Sequence, residues 1–128
     1  MVKEYKKYSN EQLSENFSSN EFDCKCKRES CNTTYIDTDL INYLQNKRNE
    51  VLRAFHINSG FRCTAHNKDV GGKPGSIHMQ GKAADVKIDG MTVADMAHLF
   101  SDADGRGVYP KHGFVHVDVR GYKARWEG

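Results

Sequence analysis

The chain has 128 residues, of which 19 are basic and 17 acidic, with four cysteines and a formal net charge of +2. That length suits one domain with a real core. The near-cancelling charge, without a long run of one sign, argues against an electrostatically driven nucleic-acid binder.

No stretch approaches the ~20 apolar residues needed to span a bilayer. The opening MVKEYKKYSNEQLSENF lacks the apolar core of a secretory signal. The expectation is a chain made in the cytoplasm, or one that leaves the cell by a route it does not encode. The basic KEYKK reads as a solvated tail.

Ser9 followed by Gln12 fits a capping box, and Leu13 with Phe17 marks the buried side of a short first helix. SSNEFDCKCKRESCN then reads as loop with one helical turn. From Asp39 to about Phe55, residues Leu40, Ile41, Leu44, Val51, Leu52 and Phe55 keep to one helical face, with polar residues opposite. HINSGFR predicts a short strand that breaks at Gly60, and VGGKPGS predicts a loop from which His78 emerges.

In AADVKI, alternation puts Ala84, Val86 and Ile88 on one side of a strand and Asp85 and Lys87 on the other. Thr92 caps a further helix with Asp95 three positions on, and Val93, Met96, Ala97 and Phe100 form its buried stripe. GFVHVDVR alternates most cleanly, with Val115, Val117 and Val119 facing one way and Phe114, His116, Asp118 and Arg120 the other. There is no repeat, low-complexity run or linker. The expectation is one α+β domain with about three helices and a small, largely antiparallel sheet. Residues 1–36 would hold the first helix and the cysteine loop, and residues 37–128 the core.

A catalytic zinc takes three protein ligands from histidine and carboxylate and keeps a fourth position open. His78, Asp85 and His116 would supply that set, with Gly81, Ala83 and Ala84 allowing the backbone to turn tightly between the first two. A histidine and an aspartate seven positions apart are common by chance, so spacing alone is weak support.

The wider context adds to it. SGFRCTAHNKDVGGKPGSIHMQGKAADV together with GFVHVDVRGYKARW closely resembles the zinc D-alanyl-D-alanine carboxypeptidase family of peptidoglycan peptidases, especially its small phage-endolysin-like branch. The likeness runs from about Ile57 to Trp126 and is looser in the helix before it.

The resemblance implies a hedgehog/D-Ala-D-Ala-peptidase-like fold, a catalytic Zn2+, and His78, Asp85 and His116 as its ligands. It implies that Arg62 contacts substrate and steadies the developing oxyanion, a task that suits the fixed positive fork of arginine. The reaction implied is metal-assisted amide hydrolysis, with zinc polarising the scissile carbonyl and making hydroxide available near neutrality.

A general base must still move the proton. Many members of the family carry an acidic residue three positions before the last zinc histidine, and here that position is Gly113. Asp118, two residues after His116 on the same strand face, is the first candidate. Its plainer role is to orient a zinc histidine or pair with Arg120. His112, at the end of the YPKHG turn, is the second candidate. Ser76 and His66 are candidates for lining the substrate groove. His56 and His98 read as ordinary residues. KARW reads as C-terminal packing on the sheet, with a rim contact to glycan.

Cys24, Cys26, Cys31 and Cys63 permit three disulfide pairings or one four-thiolate zinc site, and free buried thiols are the plain alternative. A tether by either route would hold the N-terminal loop beside Arg62. The functional expectation is a monomeric zinc peptidase acting on the peptidoglycan stem peptide, as a lysin released through a pore or as a wall-remodelling enzyme. The alternatives are a zinc-stabilised wall-binding module without catalysis, which Gly113 keeps open, and a small cytosolic domain with incidental histidines.

Overall fold

A computed structural model describes residues 1–128. The chain forms β1 (Val2–Lys6), β2 (Thr33–Asp37), α1 (Thr38–Val51), β3 (Phe55–Ser59), α2 (Thr64–Asp69), β4 (Ala83–Ile88), α3 (Val93–Leu99), β5 (Gly105–Tyr109), β6 (Phe114–Asp118) and β7 (Ala124–Glu127). Short 3-10 turns at Ser19–Phe22 and Ile77–Gln80 interrupt the loops.

Strands β1 and β2 form an antiparallel pair, and the remaining five form one sheet in the order β3-β4-β6-β5-β7, antiparallel except for the parallel β5–β7 pair. The expected α+β class with three helices and a small, largely antiparallel sheet is the observed one.

One face of the large sheet is core. Val86 from β4 and Val115 and Val117 from β6 are sealed from solvent against Leu40 and Leu44 of α1 and Met96 of α3. Burying each such side chain contributes roughly 1.5–3 kcal/mol. Phe17, Phe55 and Phe100 close the cluster with edge-to-face contacts, Phe55 sitting about 6 Å from each of the others. The alternation that buries the valines turns Asp85, His116 and Asp118 to the opposite face, where Asp85 pairs with His116 across the β4–β6 ladder.

Helix α1 begins where Asp37 accepts a hydrogen bond from the Asp39 amide, and it ends at Leu52 in the left-handed region, φ 53°. It therefore stops short of Phe55, which enters the core from β3. Thr92 caps α3 through the Asp95 amide as expected.

The first predicted helix does not form. Residues 9–18 fold back as a tight loop, with Gln12 and Ser18 bridged in antiparallel fashion and the Leu13 amide bonded to the Phe17 carbonyl. The polar groups of this stretch bond elsewhere: the Ser14 hydroxyl and the Asn16 amide both donate to Gln45 Oε1 of α1. Such side-chain and backbone pairings compete with the helical ladder. The capping box lies later, at Ser18 and Glu21, and opens only the 3-10 turn. Phe17 is buried in the core, as expected, by the loop rather than a helix.

Candidate active site and second metal cluster

His78 sits in the 3-10 turn Ile77–Gln80, which Ser76 caps by accepting from the His78 amide and Gly81 ends. Gly81 has φ +74°, and a Cβ there would run into the backbone of Tyr35. Only glycine lets the chain reverse there and enter β4 in time to bring Asp85 opposite His78. Ala83 and Ala84 serve differently from the expected turn: both lie within β4 and are buried.

His78 Nε2, Asp85 Oδ1 and His116 Nδ1 form a triangle with all three sides 3.2 Å. A tetrahedral ion with ligand arms near 2.0 Å has edges of about 3.3 Å, so the triangle is the size zinc requires. The hydrogen bonds behind the rings select the donor atoms. The Gly60 carbonyl can only accept, and lies 2.8 Å from His78 Nδ1, so that nitrogen carries the proton and Nε2 presents its lone pair. Asp118 Oδ2 lies 2.7 Å from His116 Nε2 and leaves His116 Nδ1 in the same state. Two lone pairs and a carboxylate oxygen converge on one point, a donor set completed by a cation.

All three residues are buried, at 3%, 6% and 6% exposure for His78, Asp85 and His116. Burial alone would raise the Asp85 carboxyl, but hydrogen bonds from His116 and His78 outweigh it and hold it well below the ordinary carboxylate range. Burial likewise works against the Asp118 anion, and His116 with Arg120 prevails in the same direction.

The triangle opens on a groove of roughly 620 Å³. On one side stands Arg62, which donates from Nε to Ser59 Oγ at 3.0 Å, from one terminal nitrogen to Asn67 Oδ1 at 3.3 Å and from the other to Asp85 Oδ2 at 3.2 Å. Asn67 in turn donates to the Lys73 carbonyl, which ties Arg62 to the glycine-rich loop on the groove's edge. On the other side the Trp126 ring lies 4.9 Å from the His116 ring and donates from Nε1 to the Tyr109 hydroxyl at 2.8 Å, and Tyr109 stacks on Phe114. The KARW segment does not pack on the sheet as expected but joins it, as edge strand β7 hydrogen-bonded to β5, and Trp126 forms a wall of the groove.

The remaining sequence candidates divide. Ser76 lines the groove. His66 does not; its amide bonds to Cys63 Sγ instead. His112 is exposed on the turn before β6 and lies outside the groove, its ring 6.2 Å from that of Phe114.

Asp118 does not face the ligand triangle as a free base would. It stands on the far side of His116, sealed from solvent, with both oxygens bonded by Arg120. The reason lies in β5: Gly105 opposite Asp118 has no side chain, so the carboxylate folds back into that space. That geometry suits a carboxylate that positions His116 better than one that takes a proton in the groove.

Sequence reasoning missed Ser59, Asn67 and the Gly60 carbonyl, whose parts are set by folding rather than by local pattern. Glu127 follows Trp126 on β7, and strand alternation turns its side chain to the valine face, away from the ligand triangle.

Cys24, Cys26, Cys31 and Cys63 form a second cluster whose sulfurs lie within 4.8 Å of one another, all four as free thiols. Burial works against ionisation of Cys26, yet hydrogen bonds from the Arg28 amide and the neighbouring thiols bring it down to about 6, whereas burial pushes Cys31 up to about 12. The two clusters fit one catalytic and one structural metal.

A family model described as Peptidase M15 matches residues 15–118, and the chain belongs to that family, the zinc D-Ala-D-Ala carboxypeptidase family. No curated protein matches the chain. Membership and the His78, Asp85 and His116 cluster together support a zinc metallopeptidase with a peptidoglycan-related substrate. No helix is long and apolar enough to cross a membrane.

Proposed function

We propose that this protein hydrolyses peptide bonds in the stem peptides of peptidoglycan, acting as a monomer at the cell wall, with no part played by nucleic acid. The wall is reached through a pore made by another protein or by another export route. The observation that carries the reading is the 3.2 Å triangle of donor atoms at the floor of an accessible groove.

When bound there, zinc supplies a Lewis acid and activates water near neutral pH. The chain's own residues do the rest. His78 and His116 are locked in the ligand tautomer by Gly60 and Asp118. Arg62 holds its plane through three acceptors and keeps its remaining N–H groups for the oxyanion or for a substrate carboxylate. The Trp126 and Tyr109 wall excludes water from one side of the site.

Digestion of purified peptidoglycan by zinc-loaded protein should release amino groups, a chelator should stop it, and mass spectrometry of the products should identify the bond cut. A zinc-loaded protein that binds peptidoglycan but releases nothing would favour the wall-binding module.

A further inference from the structure

We propose that Cys24, Cys26, Cys31 and Cys63 hold a zinc ion as four thiolates, with the buried Lys7 ammonium as counter-charge, and that this ion pins the segment on which the catalytic centre leans. The metal count is independent of the peptidase reading; only the effect on turnover rests on it.

The spacing of the sulfurs is the first observation. Cys63 Sγ lies 3.7 Å from Cys24 Sγ and 3.8 Å from Cys26 Sγ. A tetrahedron with Zn–S arms near 2.3 Å has edges of about 3.8 Å, whereas a disulfide requires about 2.05 Å. Cys63 is almost equally far from two partners, so no disulfide pair is singled out.

The surroundings are the second. Lys7 is 5% exposed, and its Nζ donates to the Cys26 carbonyl at 2.8 Å and points at Cys26 Sγ and Cys31 Sγ from 3.8 and 3.7 Å. No carboxylate pairs with it. An ammonium buried without a counter-anion is costly, and a doubly charged cation held by four thiolates keeps the net negative charge that Lys7 needs. Backbone amides point at the sulfurs as well: Cys63 N–H at Cys24 Sγ and His66 N–H at Cys63 Sγ, each 3.4 Å.

The third is position. The stretch Gly60–Cys63 joins the two clusters. The Gly60 carbonyl orients His78, Arg62 donates its amide to the His78 carbonyl and its side chain to Asp85, and Cys63 begins α2 as its cap. Phe61 donates its amide to the Phe22 carbonyl, just before Cys24. An ion joining Cys63 to the cysteines of the 24–31 loop fixes both sides of this stretch.

Elemental analysis of the intact purified protein tests this. The expected result is two zinc ions per chain, one in His116→Ala and one in Cys31→Ser, with turnover reduced in Cys31→Ser although the catalytic ion remains. A single zinc that disappears in His116→Ala, a mass deficit showing disulfides, or iron in place of zinc would overturn the proposal.

Should Cys31→Ser not fold, cobalt substitution of the wild-type protein decides. Thiolate-to-cobalt charge-transfer bands are expected, and their absence overturns the proposal. Lys7→Met should lose the thiolate-bound zinc to a chelator ~10–100-fold more readily, and unchanged retention would remove Lys7 from the site. Two zinc ions without hydrolysis would sink the peptidase reading and leave this site standing; one zinc with full hydrolysis would do the reverse.

Discussion

Asp118 lies behind His116 rather than beside the scissile bond: its Oδ2 is 2.7 Å from His116 Nε2, on the opposite side of the ring from the Nδ1 that faces His78 and Asp85. Arg120 grips the same carboxylate at 2.7 Å and places its guanidinium 5.1 Å from the Trp126 ring. A line of contact runs from the groove wall through Arg120 and Asp118 to the ligand nitrogen.

Asp118→Asn separates positioning from proton transfer. As a positioning residue, its loss should weaken zinc retention ~10–100-fold, and saturating zinc should restore most of kcat. Activity that stays lost in fully loaded protein would return Asp118 to the role of base.

His112→Ala should leave kcat and KM near wild type, because His112 is exposed and lies outside the groove. A fall in kcat of roughly 10²–10⁴-fold with zinc content unchanged, the range for a lost general base, would make His112 the proton acceptor after all.

Arg62→Ala should cost ~10²–10³-fold in kcat if its N–H groups meet the oxyanion. Arg62→Lys should recover only part of this, since an ammonium cannot reach Ser59, Asn67 and Asp85 at once. Equal kcat in the lysine variant and the wild type would show that charge alone suffices.

Away from the site, Tyr43 donates to Asp102 Oδ1 at 2.6 Å and Lys47 pairs with the same carboxylate. The Tyr43 bond, then Lys47, holds the Asp102 carboxyl below its ordinary value, although burial opposes this. A depressed carboxylate contributes stability that is present above the unfolded pKa, near 3.9, and is lost as pH falls through the folded value. Because Asp102 is largely exposed, Tyr43→Phe should cost no more than about 1 kcal/mol at neutral pH. That difference should vanish in denaturation curves taken well below pH 4; a constant difference would show the hydroxyl acting through packing alone.

The ligand triangle was legible because the family resemblance named its members and two local patterns agreed with it. Strand alternation puts Asp85 and His116 on the face opposite the valines, and the glycine-rich approach to His78 signals a reversal. Helix α1 was legible from its apolar stripe, though its end was not, since nothing in RNEVLRAF marks Leu52 for the left-handed region.

The N-terminal helix was misread because a capping pattern says nothing about competitors. Gln45 sits some thirty residues away and takes the donors of Ser14 and Asn16. Six-residue α2 is too short and too polar to show a stripe. The part played by Asp118 depended on a glycine in another strand, which no window around residue 118 contains.

That strand has a consequence for how such a groove can diversify. On the site-facing side of β5, Gly105 gives room to Asp118 and Gly107 to the Trp126 indole, and an added methyl at either would collide with its neighbour. β5 up to Tyr109 is therefore a bare rail, present as backbone and closed to side-chain innovation. New substrate preferences would have to arise on the opposite bank, at positions such as Lys73 and Pro74 of the loop from Val70 to Ser76, because Gly71 and Gly75 hold φ of +72° and +78° and Gly72 abuts Asn67.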